Sequence, residues 1–157
     1  TMGFGAPAAL GAKVARPDKV VVALIGDGGF GQNPAALATA FEEDIAVIWV
    51  IMNNHAFGTI AGLELAHYGT TFATVFEKGG KTWSPDFAAI ARAYGIDGVK
   101  VASAAELKPA LEKAVQSKRP VVIDVFMKNE PVPTAGHWNI MDIYSPGKKI
   151  HHATTDN

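Results

Sequence analysis

The stretch VVVALIGDGGFGQNPAALATAF, residues 20–41, decides how this chain folds. It begins within a largely β-branched run, Lys19 to Ile25, which is typical of a strand buried on both faces of a sheet. A glycine-rich turn follows. Beyond it, Asn33 is expected to cap a helix whose first residue is Pro34. Strand, glycine turn and helix in this order predict one unit of a parallel α/β sheet.

The rest of the chain continues the alternation of strands and helices, which predicts an α/β fold with a parallel sheet flanked by helices. Residues Ser103 to Glu106 fit a capping box, which would start a helix at Ala104. Pro109 would clash with the backbone of a helix that begins there, so a later start is favoured. Gly95 is expected to end the helix before it. We expect helices at 7–15, 85–94 and 107–115, and strands at 45–52, 99–101 and 121–127.

Two segments depart from this rhythm. Residues 67–83 are long and irregular, which makes them a candidate active-site loop. Residues 129–157 lack a clear period and are a candidate lid over the site. The sequence therefore predicts one α/β domain over residues 1–128 followed by a C-terminal tail.

Composition narrows the classes of function. The chain has 157 residues with a formal net charge of −1, so nothing indicates a nucleic-acid or membrane surface. No apolar run reaches the roughly 18 residues of a membrane span. Cysteine is absent, which excludes disulfides and thiolate metal sites and is compatible with the cytoplasmic location that we expect.

The glycine turn is compatible with more than one kind of ligand site. Gly26, Gly28 and Gly31 have the spacing of a dinucleotide fingerprint, so a nicotinamide-dependent dehydrogenase is an alternative. Against it, the second strand ends in Asn53 and Asn54 instead of an acidic residue for the ribose, and a pyrophosphate would be repelled by the carboxylate of Asp27. No Gly-Lys-Ser/Thr follows, which excludes a Walker site.

The carboxylate becomes necessary if the ligand is a diphosphate carried with Mg²⁺, because this hard cation takes oxygen ligands and shares its shell with phosphates. Asp27 would supply one oxygen, and the backbone amides of Gly28 and Gly29 would face the phosphate. A second protein oxygen is expected at the end of the neighbouring strand, where Asn53 and Asn54 stand.

This pattern, GDG followed by a helix, a buried strand and NN, resembles the cofactor motif of thiamine-diphosphate (TPP) enzymes. The resemblance implies that Mg²⁺ is held by Asp27, by Asn54 and by the backbone carbonyl of Ala56. It implies a cofactor site made of Met2, Gly26, Asp27, Gly28, Gly29, Asn54, Ala56, Phe57, Gly58 and Thr59. Asn53 is expected to be a strand-end or hydrogen-bonding residue, and His55 a solvated loop histidine.

A second match lies at the start of the chain. TMGFGAPAALGA, residues 1–12, resembles a segment of the acetolactate synthase-like family, in which the methionine holds the cofactor in a bent V shape; Met2 has that position. The resemblance covers roughly residues 1–127. It implies that Phe57, Thr59 and Ile60 face the substrate, and it places Leu63 where acetolactate synthases carry a tryptophan of the substrate channel.

The resemblance implies a TPP-dependent carbon–carbon bond lyase or synthase acting on a 2-keto acid or a related acyl donor. A 2-hydroxyacyl-CoA lyase or a 2-keto acid decarboxylase uses the same frame. The activating glutamate of the family belongs to a pyrimidine-binding domain supplied by a neighbouring subunit. We therefore expect no catalytic residue in this chain, no turnover by the chain alone, and a homodimer or tetramer. A non-catalytic cofactor-binding subunit is the alternative from another class.

Overall fold

The structure is a computed structural model that describes residues 1–129, so the predicted lid at 129–157 lies, apart from Asn129, outside the described residues. The helices are α1 (Gly5–Ala15), α2 (Asp27–Phe30), α3 (Ala36–Glu42), α4 (Gly58–Tyr68), α5 (Phe87–Ala93) and α6 (Ala104–Ser117). The strands are β1 (Val21–Gly26), β2 (Val47–Asn53), β3 (Glu77–Lys78), β4 (Lys81–Thr82), β5 (Asp97–Val101) and β6 (Val121–Phe126).

The predicted α/β fold with a parallel sheet is confirmed. Four strands pair in the order β1-β2-β6-β5, and every pairing is parallel. The two-residue strands β3 and β4 form a separate antiparallel pair. Because all four strands of the main sheet run in one direction, their carboxyl ends lie along one edge, where ligands bind in sheets of this kind.

Helices cover the two faces of the sheet unequally. Alternate side chains of β2 point to opposite faces, so Trp49 and Ile51 pack with α1, α3 and α5, whereas Ile48 and Val50 pack on the face covered by α6. This division gives two apolar clusters, and the larger one lies beneath the glycine turn through the buried Phe30.

Trp49 ties the larger cluster to the N-terminal helix. It is completely buried, and its indole N–H donates to the carbonyl of Ala6 at 3.2 Å. We expect Trp49→Phe to lower the free energy of unfolding by about 1–3 kcal/mol, since that carbonyl loses its buried donor while most of the apolar contact is kept. Urea unfolding followed by circular dichroism measures this cost. An unchanged midpoint would contradict the role of the hydrogen bond.

The expectation that the first strand is buried on both faces is wrong for the described residues. Val22 and Leu24 of β1 are 46% and 67% exposed, whereas Ile25 is buried against α1. The reason is position, since β1 is the outer strand of the described sheet and α6 packs over β5 and β6 on that face.

The expected cap at Asn33 is also wrong. The glycine turn contains its own short helix, α2, and the amide of Asn33 donates to the carbonyl of Phe30 as the chain leaves it. Helix α3 then begins at Ala36, with Ala35 at its N-cap and no side-chain cap. The predicted helix thus begins two residues later than Pro34, and α2 in the turn is an additional helix that was not predicted.

Other boundaries differ for local reasons. Helix α6 begins at Ala104 and contains Pro109, so the later start is wrong. The helix start differs from the predicted capping box, because the carboxylate of Glu106 accepts the amide of Ala102, the residue before the N-cap, at 2.8 Å, and Ser103 makes no side-chain cap hydrogen bond. At the end of α5, Gly95 has a left-handed φ of 79°, which confirms its predicted role.

The segment expected to be irregular is more ordered than predicted. Helix α4 extends to Tyr68 and so includes the first two residues of the predicted loop, 67–83. The hairpin of β3 and β4 lies within the same predicted loop. Helix α4 was not predicted because its apolar residues do not lie along one face of the helix, and of its side chains only that of Ala61 is buried.

Candidate cofactor site

Two turns meet at the carboxyl edge of the sheet. Gly26, the last residue of β1, is in register with Met52 of β2, so the chain leaves both strands at the same level. The amide of Ala56 then donates to the carboxylate of Asp27 at 3.3 Å. The structure thus brings together the GDG turn and the turn after NN, as expected for the ends of neighbouring parallel strands.

Asp27 is a buried carboxylate with few partners. Its side chain accepts from the amides of Gly28, at 2.8 Å, and Ala56, and the ion pairs formed within residues 1–129 do not include it. Burial raises the pKa of Asp27, and the backbone amides of Gly28, His55 and Ala56 together with the nearby His55 side chain oppose the shift only in part. A desolvated carboxylate that forms no ion pair within residues 1–129 fits a site for a hard cation.

Asn54 lies beside the start of α4. Its Nδ2 donates to Oδ1 of Asn129 at 3.3 Å, which leaves its own Oδ1 as the acceptor of that amide. A Cβ on Gly58 would stand 2.5 Å from Nδ2 of Asn54. Glycine at this position therefore makes room for the amide. Asn54 and the carbonyl of Ala56 are neutral oxygens that could share a cation with Asp27.

Met2 and Phe57 converge on Gly28. A Cβ on Gly28 would lie 2.4 Å from the ring of Phe57 and 3.4 Å from Cε of Met2, so only glycine fits beneath them. The ring of Phe57 also packs edge-on against Phe76 at a centroid distance of 4.8 Å. Met2 is thus placed over the glycine turn, where a methionine could contact a ligand held there.

The first turn of α4 is open at its N-terminus. Phe57 is the N-cap and makes no side-chain cap, so the amides of Gly58 and Thr59 have no side-chain acceptor at this helix start. These amides and the glycine turn are the backbone donors that could face a diphosphate. Ile60 and Leu63 of the same helix are 43% and 36% exposed, which leaves apolar surface next to these donors.

Residues 72–76, which lie within the predicted loop 67–83 but whose contacts the sequence did not indicate, support the turn that follows β2. The amide of Phe57 donates to the carbonyl of Thr74, and the amide of Phe76 donates to the carbonyl of His55, each at 2.8 Å. Glu64 of α4 holds the same segment, since its carboxylate accepts from the amide of Phe72 and the hydroxyl of Thr74. No local pattern in the sequence indicates these contacts between distant residues.

Behind the turn lies a polar chain. Asn53 and Asp124 are completely buried, and Nδ2 of Asn53 donates to Oδ1 of Asp124 and to Oγ of Ser84, both at 3.0 Å. Nδ1 of His55 is 3.0 Å from the same hydroxyl. The prediction that Asn53 is a hydrogen-bonding residue is confirmed. The expectation of a solvated loop histidine is wrong, because His55 is half-buried and bonded to Ser84.

Asp124 should make stability depend on pH. Burial raises its pKa above the ordinary 3.8, against hydrogen bonds from Asn53 and Phe87. The folded chain therefore binds this proton more tightly than the unfolded chain, and that stabilisation is lost as the pH rises from about 3.8 through the raised pKa.

We expect Asp124→Asn to show a smaller fall in melting temperature between about pH 4 and about pH 7, measured without metal. Asp27 shifts in the same direction, so the dependence should shrink without vanishing. Glu43→Gln, at an exposed position, is the control. A dependence equal to that of the wild type would show that Asp124 does not contribute.

Within residues 1–129, no three or more His, Cys, Asp or Glu side chains are grouped to hold a metal ion. The arrangement around Asp27 contains one carboxylate, which suits a cation that also takes oxygens from its ligand. In the same part of the chain, no helix combines the length and apolar character needed to cross a membrane.

Comparison with known proteins gives consistent matches. Residues 1–125 match the family described as "Thiamine pyrophosphate enzyme, C-terminal TPP binding domain". The acetolactate synthase large subunit of Parasynechococcus marenigrum is 39% identical over 128 residues, covering 82% of this chain and 20% of that protein. The Haemophilus influenzae large subunit is 37% identical over 122 residues, covering 78% and 21%.

Among solved structures, the thiamine diphosphate-dependent 4-hydroxybenzoylformate decarboxylase of Rhodococcus jostii RHA1 superimposes with a TM-score of 0.74. It is 32% identical, and the match covers 83% of this chain and 24% of that one. The chain thus spans about a fifth of the length of the curated relatives it matches.

Proposed function

Because this chain belongs to the thiamine pyrophosphate enzyme family, as its C-terminal TPP-binding domain, we propose that it holds the diphosphate of TPP through Mg²⁺. The observation that carries the proposal is the buried carboxylate of Asp27, 2% exposed, with two amide donors and no ion pair within the described residues. A divalent cation would supply the missing positive charge and would bring the diphosphate with it.

The residues around Asp27 fit this group. The ligands would be the carboxylate of Asp27, the side-chain oxygen of Asn54 and the carbonyl of Ala56, with phosphate oxygens and water completing the shell. The amides of Gly29, Gly58 and Thr59 would donate to the phosphate oxygens, next to Gly26 at the strand end, whereas the amide of Gly28 donates to Oδ1 of Asp27 and would hold that carboxylate in place. The close packing at Gly28 and Gly58 supports this assignment of ligands and donors. A side chain at Gly28 would collide with Phe57, and one at Gly58 would collide with Asn54.

The protein's part in the reaction is binding, orientation and exclusion of water. When bound, TPP supplies a nucleophilic carbon for attack on the carbonyl of a 2-keto acid or related acyl donor. Met2, above Gly28, would orient the cofactor between its two rings, and Phe57 would close the same side. Thr59, Ile60 and Leu63 would line the path of the substrate, because they lie exposed along α4 beside the proposed phosphate donors.

The whole enzyme would be an acetolactate synthase-like lyase or synthase that needs further parts. A pyrimidine-binding domain or subunit would supply the activating glutamate, in a homodimer or tetramer located in the cytoplasm. A 2-keto acid decarboxylase is the second candidate. It is favoured by the similarity to the 4-hydroxybenzoylformate decarboxylase and by leucine at position 63, where the resemblance to acetolactate synthases implies tryptophan.

Titration calorimetry of the 157-residue chain tests the cofactor. TPP should bind with Mg²⁺ present and lose its affinity when EDTA removes the metal, while thiamine, which lacks the diphosphate, should bind weakly under both conditions. NADH should not bind. Binding of NADH without binding of TPP would overturn the proposal in favour of a dehydrogenase.

Activity assays separate the enzyme from a non-catalytic subunit. The chain alone should release no CO₂ from pyruvate or benzoylformate, and addition of a pyrimidine-binding partner domain that carries the glutamate should restore release. Products with and without an acceptor keto acid then distinguish a synthase from a decarboxylase. Inactivity of the complex on 2-keto acids and on 2-hydroxyacyl-CoA would favour the non-catalytic subunit.

A further inference from the structure

The hydrogen bonds that link Asp124, Asn53, Ser84 and His55 behind the cofactor turn have defined donors and acceptors. Both oxygens of Asp124 accept, Oδ2 from the amide of Phe87 at 3.2 Å and Oδ1 from Nδ2 of Asn53. This orients the Asn53 amide, because a carboxylate accepts hydrogen bonds and does not donate them. The second N–H of the same nitrogen points to Oγ of Ser84, which therefore acts as an acceptor.

This order of donors and acceptors continues to His55. The Ser84 hydroxyl carries a single proton, and of its two hydrogen-bond partners Asn53 is a donor, so Nδ1 of His55, at 3.0 Å, is the partner that can accept this proton. Nδ1 is then an acceptor, so the neutral imidazole carries its proton on Nε2. The sheet interior thus selects one tautomer of a histidine at the edge of the site.

The backbone of His55 shows what this bond could hold. Its φ is 59°, in the left-handed region, which is unfavourable for a residue with a side chain. Such a conformation persists when the surroundings determine it. Here the carbonyl of His55 accepts from Phe76 on one side, and the side chain bonds to Ser84 on the other. His55 also lies between Asn54 and Ala56 in the chain.

We propose that His55 is a positioning residue, anchored through Ser84 to the buried Asn53–Asp124 pair, which holds the left-handed turn carrying Asn54 and Ala56 beside Asp27. The inference rests on the proposed function, in which those two residues bind the cation. His55 acts through the turn and needs no contact with the cofactor. Supporting groups of this kind change metal affinity by about 10- to 100-fold when they are removed.

Two substitutions break the anchor from opposite sides. We expect His55→Ala and Ser84→Ala each to weaken Mg²⁺-dependent TPP binding by about 10- to 100-fold in calorimetry of the full chain. The double variant should bind about as weakly as either single variant, because one interaction is lost in all three. Unchanged affinity in either single variant, or full additivity in the double variant, would overturn the proposal.

Conservative variants separate anchoring from backbone strain. Asn at position 55 tolerates a left-handed φ and offers Oδ1 at the same distance along the side chain as Nδ1, so His55→Asn should recover most of the lost affinity. His55→Gly relieves the strain without an anchor and should stay as weak as His55→Ala. Recovery by glycine would show that only the backbone matters. His67→Ala, an exposed histidine of α4, is the control.

A readout without cofactor keeps this inference separate from the proposed function. Nitrogen-15 NMR of histidine-labelled chain at about pH 8, above the ordinary histidine pKa of about 6.5, reports the tautomer. The signal that disappears in His55→Asn should show a proton on Nε2, and Ser84→Ala should abolish the preference. If the wild type shows this tautomer but binds no TPP with Mg²⁺, the proposed function fails while the network stands. A proton on Nδ1 overturns the network itself.

Discussion

Asp27→Asn should weaken Mg²⁺-dependent binding of TPP by at least about 100-fold, which corresponds to about 2.7 kcal/mol. Asn keeps the size of the side chain and one oxygen, but it removes the charge that a hard cation prefers. Affinity measured at increasing Mg²⁺ should also show a much weaker dependence on the metal.

The fold of this variant should survive. Without metal, the carboxylate is desolvated and its pKa is raised, so replacing it by a neutral amide removes that cost while it disturbs two amide hydrogen bonds. We expect the free energy of unfolding of the cofactor-free variant to stay within about 1 kcal/mol of the wild type.

The control for this experiment is Asp44→Asn. It makes the same chemical change at an exposed residue with a left-handed φ of 50°, a conformation that Asn adopts readily. It should bind TPP and Mg²⁺ as the wild type does. Equal affinity of the Asp27→Asn variant and this control would show that Asp27 is not a ligand of the cation.

Gly98→Ala should be the most damaging small substitution for stability. A Cβ at this position in β5 would lie 2.1 Å from the carbonyl oxygen of Ala88, and 2.8 and 2.9 Å from its carbonyl carbon and Cα. These are backbone atoms of α5, so relief requires the helix to move away from the sheet. Overpacking of this kind costs about 3 kcal/mol, which corresponds to a fall of about 10 °C in melting temperature.

Gly11→Ala is the matched comparison. A Cβ on this exposed glycine of α1 meets nothing within 4 Å, and alanine is favoured in a helix interior by about 0.5–1 kcal/mol. Differential scanning calorimetry should therefore show opposite shifts for the same chemical change. A melting temperature for Gly98→Ala within a degree of the wild type would mean that β5 and α5 are less closely packed than they are in this structure.

Much of the fold could be predicted because its signals are local. Apolar runs such as residues 45–52 and helical spacing such as that of residues 85–94 reflect which side chains face the core, and this depends on near neighbours in sequence. The boundaries around Asn33 and Pro109 could not be predicted in the same way. There, alternatives of similar local energy exist, and contacts such as that between Glu106 and Ala102 select one of them.

The candidate site also contains residues that could be predicted from local sequence and residues that could not. The charge of Asp27 beside glycines, and two asparagines after the next strand, indicate a cation and its diphosphate, because parallel strand ends meet at one edge. The contact between Ala56 and Asp27 agrees with that reasoning. The partners behind the turn could not be assigned in this way, since Ser84 is of a type common in loops, and Asp124, a charged residue within the predicted strand 121–127, finds its partner Asn53 71 residues away in the chain.

The sequence by itself determined the class of fold, the family resemblance and the residues that could hold a cofactor, because each depends on residue type and short spacing. Only the tertiary structure decided that His55 bonds to Ser84, that Gly98 lies against α5 and that β1 leaves Leu24 exposed. Those features arise where segments far apart in the chain come within van der Waals distance. The order of strands and the packing of helices set these distances, and no short stretch of residues encodes them.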